Sequence, residues 1–454
     1  MSRSNATTGF ALVKLLAQTK TPEYRSPLLE SMLKTFIAAS KKLIKRLKRK
    51  LFEINIYLGA VGEYWTSSRG WRGGLESRLQ EWPTKVALEA PSEPHKIALF
   101  VGFSEDLTLS NRAYLQTLIS AGYAVMYISN CPLQPSGRDS LAALVWRLFE
   151  RHNMGRDVGA FRDGVLWLEE QGWLAKIKTL IIANDSMQFL PGRYAQSLIN
   201  ELHAFESSDD DGLFSHISQI HYTHFQSYFQ ALKPAIFRSS LFLGFWHDYV
   251  PLSHRGHCIF NGEIALSINV YRRFKNVRVL YTSNALLGVL EKLLAEGRGI
   301  SGQTALRLMP SLARTVQRGH AGYSLNQILD KGENKEPLVG WVLFCLAEVI
   351  ENNNPSHVAA FLYPLYLNCP LVKQDLCVAG SFSLAQAISL YEEALLDSAA
   401  NSEQVIDVEA FAKEYAKVLY AKGTPMSFVN KPRESALKGI TGGFVYGATY
   451  DGNF

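Results

Sequence analysis

Lys96-Ile97-Ala98-Leu99-Phe100-Val101-Gly102 decides the fold, because it is an unbroken apolar run of strand length that ends in glycine. A run of this kind is typical of a strand that is buried in a parallel sheet. The pattern that follows predicts a helix over residues 110–121 and a second strand over residues 123–129. This order of strand, helix and strand predicts a right-handed crossover within a parallel α/β sheet.

Outward from this unit, the α/β pattern continues and then changes. Helical patterns cover residues 141–152 and 163–170, and the apolar run at 179–183 predicts another strand. After about residue 285 the periodicity of the apolar residues is helical. We therefore expect an amino-terminal helical arm and linker (1–94), a central α/β domain (95–285) and a helical carboxy-terminal unit (286–454).

Two polar motifs lie at the ends of predicted elements. The triplet Asn184-Asp185-Ser186 follows the strand at 179–183, and a Gly-rich segment, Asn153–Ala160, precedes the helix at 163–170. In open α/β sheets, ligands bind beyond the carboxyl ends of the strands. Side chains there can meet a ribose, a sugar hydroxyl or a pyrophosphate, whose charge must be stabilised by a cation. The two motifs together predict a sugar-nucleotide site.

The Gly-rich segment offers three kinds of group to such a ligand. Its glycines permit close backbone approach, Arg156 provides a forked donor for phosphate, and Asp157 can accept from ribose or sugar hydroxyls. A plain loop and an Asx turn at the strand end are the alternatives. The residues predicted to bind the sugar nucleotide, which is the glycosyl donor, are Asn153, Gly155, Arg156, Asp157, Asn184, Asp185 and Ser186.

Four motifs in order resemble a known family, the rhamnan synthesis protein F glycosyltransferases. They are Asn153–Ala160, Asn184–Ser186, His224–Phe229 and Asn261–Ser267. A looser resemblance covers Asn354-Pro355-Ser356-His357 and Pro370-Leu371-Val372-Lys373. The resemblance implies a GT-A-like sheet, a nucleotide-sugar donor such as dTDP-rhamnose, a lipid-linked or polymeric glycan acceptor on the cytoplasmic membrane face, and inversion at the anomeric carbon.

The resemblance also implies roles for the later motifs. Glu263 stands, after the triplet and before a helix, where inverting transferases place the general base that accepts a hydroxyl proton. Asp248 is the rival base, and simple helix capping is the alternative for Glu263. Acceptor contacts are predicted for side chains that hydrogen-bond to a sugar or stack on it, with a helix of core aromatics as the alternative for the His224 motif. They are His224, Gln226, Ser227, Tyr228 and Trp246.

The need for a metal stays open. GT-A transferases hold an Asp-x-Asp at the position of the triplet, and its carboxylates coordinate Mg²⁺ or Mn²⁺. Here Asn184 and Ser186 replace the outer carboxylates, so Asp185 is the single acidic ligand. The same replacement suggests a rival function, a non-catalytic scaffold or degenerate transferase of the polysaccharide assembly. The aromatics allow a third function, a carbohydrate-binding module.

Basic charge is concentrated in one segment. The net charge is +6, but Lys41–Lys50 holds seven basic residues and no acid; removing these seven from the 47 Lys and Arg leaves 40 against 41 acids. This balance argues against a nucleic-acid partner. Leucines recur on the opposite face of the helix predicted over 27–59, so we expect it to lie on an anionic membrane surface. An ordinary amphipathic helix packed on the protein is the alternative.

The remaining patterns exclude several classes. Five cysteines without a Cys-x-x-Cys pair are typical of a reducing cytoplasm and argue against a zinc site or a disulfide framework. No apolar stretch approaches the roughly 20 residues that span a bilayer, and no signal peptide is recognisable. We expect a protein that is peripheral on the inner face of the cytoplasmic membrane. P-loop and Gly-x-Ser-x-Gly motifs are absent from the sequence.

Overall fold

The computed structural model describes residues 78–86, 93–219, 222–312, 345–350, 353–402 and 404–422, with positions 54, 58, 61, 75 and 343. The basic segment Lys41–Lys50 lies outside the described residues, so the membrane helix stays a prediction. The chain divides into two units, Met1–Gly59 and Ala60–Phe454, and every element below belongs to the second.

The strands of the described residues are short, apart from three central ones. In chain order they are β1 (Gln80–Trp82), β2 (Lys96–Gly102), β3 (Ala124–Ser129), β4 (Arg147–Glu150), β5 (Thr179–Asn184), β6 (Met187–Phe189), β7 (Gly212–Phe214), β8 (Ile217–Ser218), β9 (His224–Phe225), β10 (Phe229–Leu232), β11 (Val277–Val279) and β12 (Leu371–Lys373).

Eight of these strands form one mixed sheet in the order β1-β4-β3-β2-β5-β10-β7-β11. The pairings β4–β3, β3–β2, β2–β5 and β7–β11 are parallel, whereas β1–β4, β5–β10 and β10–β7 are antiparallel. The expected α/β fold with a mostly parallel sheet is therefore confirmed. Two small antiparallel pairs, β6–β12 and β8–β9, lie outside this sheet.

The helices of the described residues flank this sheet. They are α1 (Leu109–Ser120), α2 (Pro135–Ala142), α3 (Arg156–Glu170), α4 (Trp173–Lys176), α5 (Arg193–Ser207), α6 (Pro234–Phe237), α7 (Ser240–Asp248), α8 (Arg255–His257), α9 (Ala265–Asn269), α10 (Ser283–Ala295), α11 (Gly302–Leu308), α12 (Pro355–Val358), α13 (Leu362–Leu367), α14 (Leu384–Ala400) and α15 (Val408–Ala421). A π-helix, Cys258–Ile264, joins α8 to α9.

Alternation along β2 builds two cores, one on each face of the sheet. Phe100 packs in a core with α1, α5 and the carboxy-terminal helices, whereas Leu99 packs in the other core with α3 and α7. Successive side chains of a strand point to opposite faces, so an unbroken apolar run supplies both cores. Each fully buried side chain of this size contributes about 1.5–3 kcal/mol of transfer free energy.

The structure corrects three expectations of secondary structure. Residues 141–152 do not form one helix, because α2 ends at Ala142 and Arg147–Glu150 forms β4. Leu148 and Phe149 fill the two opposite cores from that strand, and pairing with β3 and β1 overrides the local helical pattern. Helix α3 begins at Arg156, earlier than expected, and the carboxy-terminal part contains β12 among its helices.

The carboxy-terminal part packs in the same core as the sheet. Tyr391 of α14 and Tyr415 of α15 belong to the core that holds Phe100 of β2. The division of the chain at residues 94 and 285 stays a prediction. Among the described residues, no helix has the length and apolarity needed to cross a membrane.

Candidate functional site

Asn184, the last residue of β5, joins the Gly-rich segment to the triplet. Its Nδ2 donates a 2.8 Å hydrogen bond to Oδ2 of Asp157 in the first turn of α3. Its Oδ1 accepts from the backbone N–H of Ser186 at 3.1 Å and from the hydroxyl at 2.7 Å. This is an Asx turn, which fixes the path of the triplet. The two motifs therefore meet at the carboxyl end of β5.

Asp185 is tied to the neighbouring strand. Its Oδ2 accepts a 2.7 Å hydrogen bond from the backbone N–H of Phe103, just beyond β2, and its own N–H donates to the carbonyl of Val101 at 3.0 Å. Because β2 and β5 are parallel neighbours, their carboxyl ends lie together at this edge. The half-buried Asp185 is thus held by hydrogen bonds at the carboxyl ends of two central strands.

The two aspartates at this edge disfavour each other's charge. Burial, and then the nearby Asp185, raise the pKa of Asp157 to about 6, against the opposing charges of Lys422, Arg156 and Lys373. Burial also raises the pKa of Asp185. A carboxyl group whose pKa is raised towards neutral pH is a candidate for proton transfer. The edge therefore offers acid–base chemistry as well as hydrogen-bond acceptors.

The Gly-rich segment packs against the loop after α7. Gly155 has a φ of +74°, and a Cβ built there would lie 2.6 Å from the Cβ of Pro251. Its N–H donates to Oγ of Ser253 at 3.1 Å, and Nε of Arg156 donates to the Ser253 carbonyl at 2.7 Å. The carbonyl of Asn153 accepts from the same hydroxyl at 3.4 Å. Gly155 therefore permits a close approach to this loop, and its predicted approach to a ligand stays a prediction.

Glu263 is held by three side chains of the His224 motif. Its Oε1 accepts from Nε2 of Gln226 at 3.0 Å and lies 2.9 Å from Nε2 of His224. Its Oε2 accepts from the backbone N–H of Ser227 at 3.3 Å and from the hydroxyl at 2.5 Å. Burial alone would raise the pKa of Glu263, but His224, Ser227 and the charge of Lys373 together hold that pKa below its usual value. Glu263 is thus an ionised, well-satisfied carboxylate.

The surroundings of Glu263 differ from those expected. Glu263 lies inside the π-helix Cys258–Ile264 and not at a helix start, so the capping alternative is wrong. The preceding Gly262 packs on α3, where an added Cβ would lie 2.8 Å from Cγ1 of Val158, next to Asp157. The His224 motif forms β9 and the turn before β10, so its helical alternative is also wrong.

Two aromatic contacts predicted for the acceptor are corrected by burial. Trp246 is fully buried and packs edge-on against Phe242 and Phe245, so it offers no face to a sugar. Tyr228 is 2% exposed, and the ammonium of Lys373 lies 4.8 Å above its ring centroid. Aromatic residues bury large areas, and here the core takes both rings.

The rival base Asp248 is exposed at the end of α7. It borders a cavity of about 560 Å³ that Asn261 and Asn269 also line. Asp157, Asp185 and Glu263 do not line this cavity. Asp248 therefore borders a cavity that none of these three carboxylates lines.

Residues of the carboxy-terminal part also interact with the candidate residues, although no role was predicted for them from the sequence. Nδ2 of Asn354 donates to Oε1 of Gln226 at 3.4 Å. Nε2 of His357 lies 2.8 Å from Oδ1 of Asp375. Lys373 acts through its charge on both Asp157 and Glu263. The signal for these residues was the looser resemblance of the Asn354 and Pro370 motifs.

The described side chains at the carboxyl ends of β2 and β5 do not form a metal site by themselves. Within the described residues, no three side chains of His, Cys, Asp or Glu are placed to hold one ion. Asp157 and Asp185 are the two carboxylates that meet here, and Mg²⁺ sites in phosphate-transferring enzymes commonly combine one or two carboxylates with substrate phosphates.

The three candidate carboxylates lie inside a segment that matches a known protein family. Residues 125–282 match the family model for rhamnan synthesis protein F. The chain is 30% identical over 183 residues to the uncharacterized protein y4gN of Sinorhizobium fredii, an alignment that covers 39% of this chain and 46% of that protein. The chain thus spans less than half the length of that relative. No solved structure matches the chain. The matched segment contains Asp157, Asp185 and Glu263, and the match confirms, over residues 125–282, the resemblance that the motifs predicted.

Proposed function

We propose that this protein is a GT-A-like glycosyltransferase of cell-surface polysaccharide synthesis. It transfers a sugar, such as rhamnose, from a nucleoside-diphosphate donor to a lipid-linked or polymeric glycan. The observation that carries the proposal is the meeting of Asp157, Asn184 and Asp185 at the carboxyl ends of β2 and β5, within the family segment. This edge is where open α/β sheets bind nucleotides.

Donor binding uses the acceptor oxygens of this edge. Asp185 accepts hydrogen bonds from the ribose or sugar hydroxyls of the donor, and such charge-assisted bonds are stronger than neutral ones. The Asx turn at Asn184 and the bond from Phe103 fix both carboxylates before the donor arrives. Side chains held on strand ends keep the geometry that transfer requires.

Proton acceptance is assigned to Asp157, in place of Glu263. A general base works best when its pKa lies near the working pH, and the pKa of Asp157 is raised to about 6. Glu263 has a lowered pKa, and its oxygens are already engaged by His224, Gln226 and Ser227. Glu263 is therefore a positioning residue that holds the turn between β9 and β10.

The transfer step balances in these terms. The acceptor hydroxyl oxygen forms a bond to the anomeric carbon while the bond from that carbon to the diphosphate oxygen breaks. The hydroxyl proton goes to Oδ of Asp157, and the nucleoside diphosphate leaves with the bonding electron pair. Attack opposite the leaving group inverts the anomeric carbon.

Mg²⁺ or Mn²⁺ bound by Asp185 together with the donor phosphates would neutralise the departing diphosphate. Treatment with EDTA tests this directly. If activity survives EDTA, a positively charged side chain of the protein, and not a metal ion, neutralises the departing diphosphate.

A thermal-shift panel of dTDP-, UDP- and GDP-sugars tests the proposal. A donor that binds only the native state stabilises it by mass action, about 2.7 kcal/mol at 100 times Kd. We expect one nucleotide sugar to raise the melting temperature of the wild type and of Asp248→Asn, but not of Asp185→Ala. A panel in which no nucleotide sugar shifts the melting temperature would favour the scaffold alternative.

A further inference from the structure

Lys373 is a half-buried cation of the site whose ammonium faces an aromatic ring. Its Nζ lies 4.8 Å from the centroid of the buried Tyr228 ring. Among the ion pairs of the described residues, none involves Lys373. An ammonium has three hydrogen-bond donors, and a cation–π contact with one ring does not use all of them.

The backbone fixes Lys373 beside the donor motif. Strand β12 pairs antiparallel with β6, and Lys373 lies opposite Met187, the first residue after the Asn184-Asp185-Ser186 triplet. The hydroxyl of Tyr415 donates to the Lys373 carbonyl at 3.0 Å. Tyr228 also connects the two, because its carbonyl accepts from the N–H of Asn184 at 3.4 Å. Lys373 is therefore placed at the triplet by two independent contacts.

The neighbouring acids have other partners. Asp375 lies 2.8 Å from His357, and Glu263 is engaged by the His224 motif. Lys373 acts on these acids and on Asp157 through its charge, without a close ion pair to any of them. Lys422, at the end of α15, adds a second positive charge that acts on Asp157 and Asp185. Lys373 and Lys422 thus contribute positive charge near Asp157.

We propose that Lys373 binds the pyrophosphate of the nucleotide-sugar donor, so that β12 of the carboxy-terminal part completes the donor site. The inference rests on the proposed function and adds to it the residue that carries the diphosphate. An ammonium is a suitable point charge for phosphate oxygens. Placed there, it also stabilises the charge that develops on the leaving group.

Calorimetric titration of nucleotides separates this role from a structural one. The probes are dTDP, UDP and GDP, the corresponding monophosphates, and inorganic pyrophosphate. The variants are Lys373→Gln, Lys373→Met, which keeps an unbranched apolar side chain without the charge, and Lys373→Arg. Lys417→Gln is the matched control, because it removes an exposed lysine from α15. A thermal melt of each variant reports its fold.

We expect both neutral variants to weaken the preferred diphosphate about tenfold or more, the loss of one charge-assisted contact, and the monophosphate about threefold or less. Lys373→Arg should retain most of the affinity, and Lys417→Gln all of it. Undiminished diphosphate affinity in the neutral variants would overturn the assignment and leave the proposed function standing. Failure of both neutral variants to fold would also overturn it. A wild type that binds no nucleoside diphosphate would overturn the proposed function too.

Discussion

The side-chain amide of Asn184 donates a 2.8 Å hydrogen bond to the carboxylate of Asp157, and this contact joins the end of β5 to the first turn of α3. It holds Asp157 beside Asp185 despite their mutual repulsion, which contributes to the raised pKa of Asp157. Folding thus maintains an unfavourable charge pair at a strand end. Such pairs occur at functional sites, where stability is reduced for the sake of chemistry.

Replacing Asp157 by Asn should stabilise the protein at pH 7.5. The native pKa of about 6 lies above the unfolded value, so the native state binds more protons between about pH 4 and 6 and wild-type stability falls as pH rises through that window. The substitution removes this cost, while the amide oxygen of the new side chain still accepts from Asn184. The gain at pH 7.5 is at most about 3 kcal/mol, because solvent screens a half-buried group.

Urea unfolding at pH 4 and pH 7.5 checks this prediction. The difference between Asp157→Asn and the wild type should be present at pH 7.5 and vanish at pH 4. An equal difference at both pH values would show that the substitution acts through packing and not through the charge.

Glu263→Gln should have the opposite effect on stability. The native pKa of Glu263 is lowered, so the ionised side chain contributes stability that is present above the unfolded pKa and lost as pH falls through the native pKa. A glutamine in this place presents an NH₂ group to the donors of Ser227 or Gln226. An unsatisfied buried donor costs about 1–3 kcal/mol, so we expect a loss of that size at pH 7 that shrinks in acid.

Asp248→Asn is the matched control for this substitution. Asp248 is exposed, and we expect no change in the unfolding free energy or in the transfer rate. If Glu263→Gln melted like the wild type and transferred sugar a hundredfold more slowly, Glu263 would be the general base after all.

Much of the fold followed from local pattern. The strand at 96–102 and the helix and strand after it were predicted to within one or two residues, because the apolar runs agree with the final packing. Strand β4 was missed, because Arg147–Glu150 gains its structure from pairing with β1 and β3, which are distant in sequence. Pairing partners cannot be read from a short apolar run.

The parts of the candidate site that lie in local sequence motifs could be predicted, whereas the parts that depend on tertiary packing could not. Asp157 and Asp185 were identified from motifs at strand and helix ends, and the structure brings them together. The burial of Trp246 and the contact of Lys373 with Tyr228 depend on elements far apart in sequence. Motif spacing identifies residues of suitable chemistry, but only packing decides which of them face a ligand.

The basic segment Lys41–Lys50 gives a separate prediction. Each basic residue near an anionic surface contributes on the order of 1 kcal/mol to membrane binding. Replacing Lys41, Lys42, Lys45 and Lys48 by Gln should therefore release the protein from anionic vesicles in a sedimentation assay. Binding of the wild type should also fall as salt rises. Equal partition of the wild type onto neutral and anionic vesicles would return the segment to an ordinary amphipathic helix.

Release of nucleoside diphosphate from the nucleotide sugar selected by the panel, measured with a glycan-lipid acceptor for the wild type and Asp157→Asn, tests the central claim most directly. The wild-type rate should rise with pH through about 6, as Asp157 loses its proton. Asp157→Asn should bind the donor within a few fold of the wild type and release the diphosphate at least about a hundredfold more slowly. A wild-type rate in Asp157→Asn, or no release by the wild type from any donor that it binds, would contradict the account.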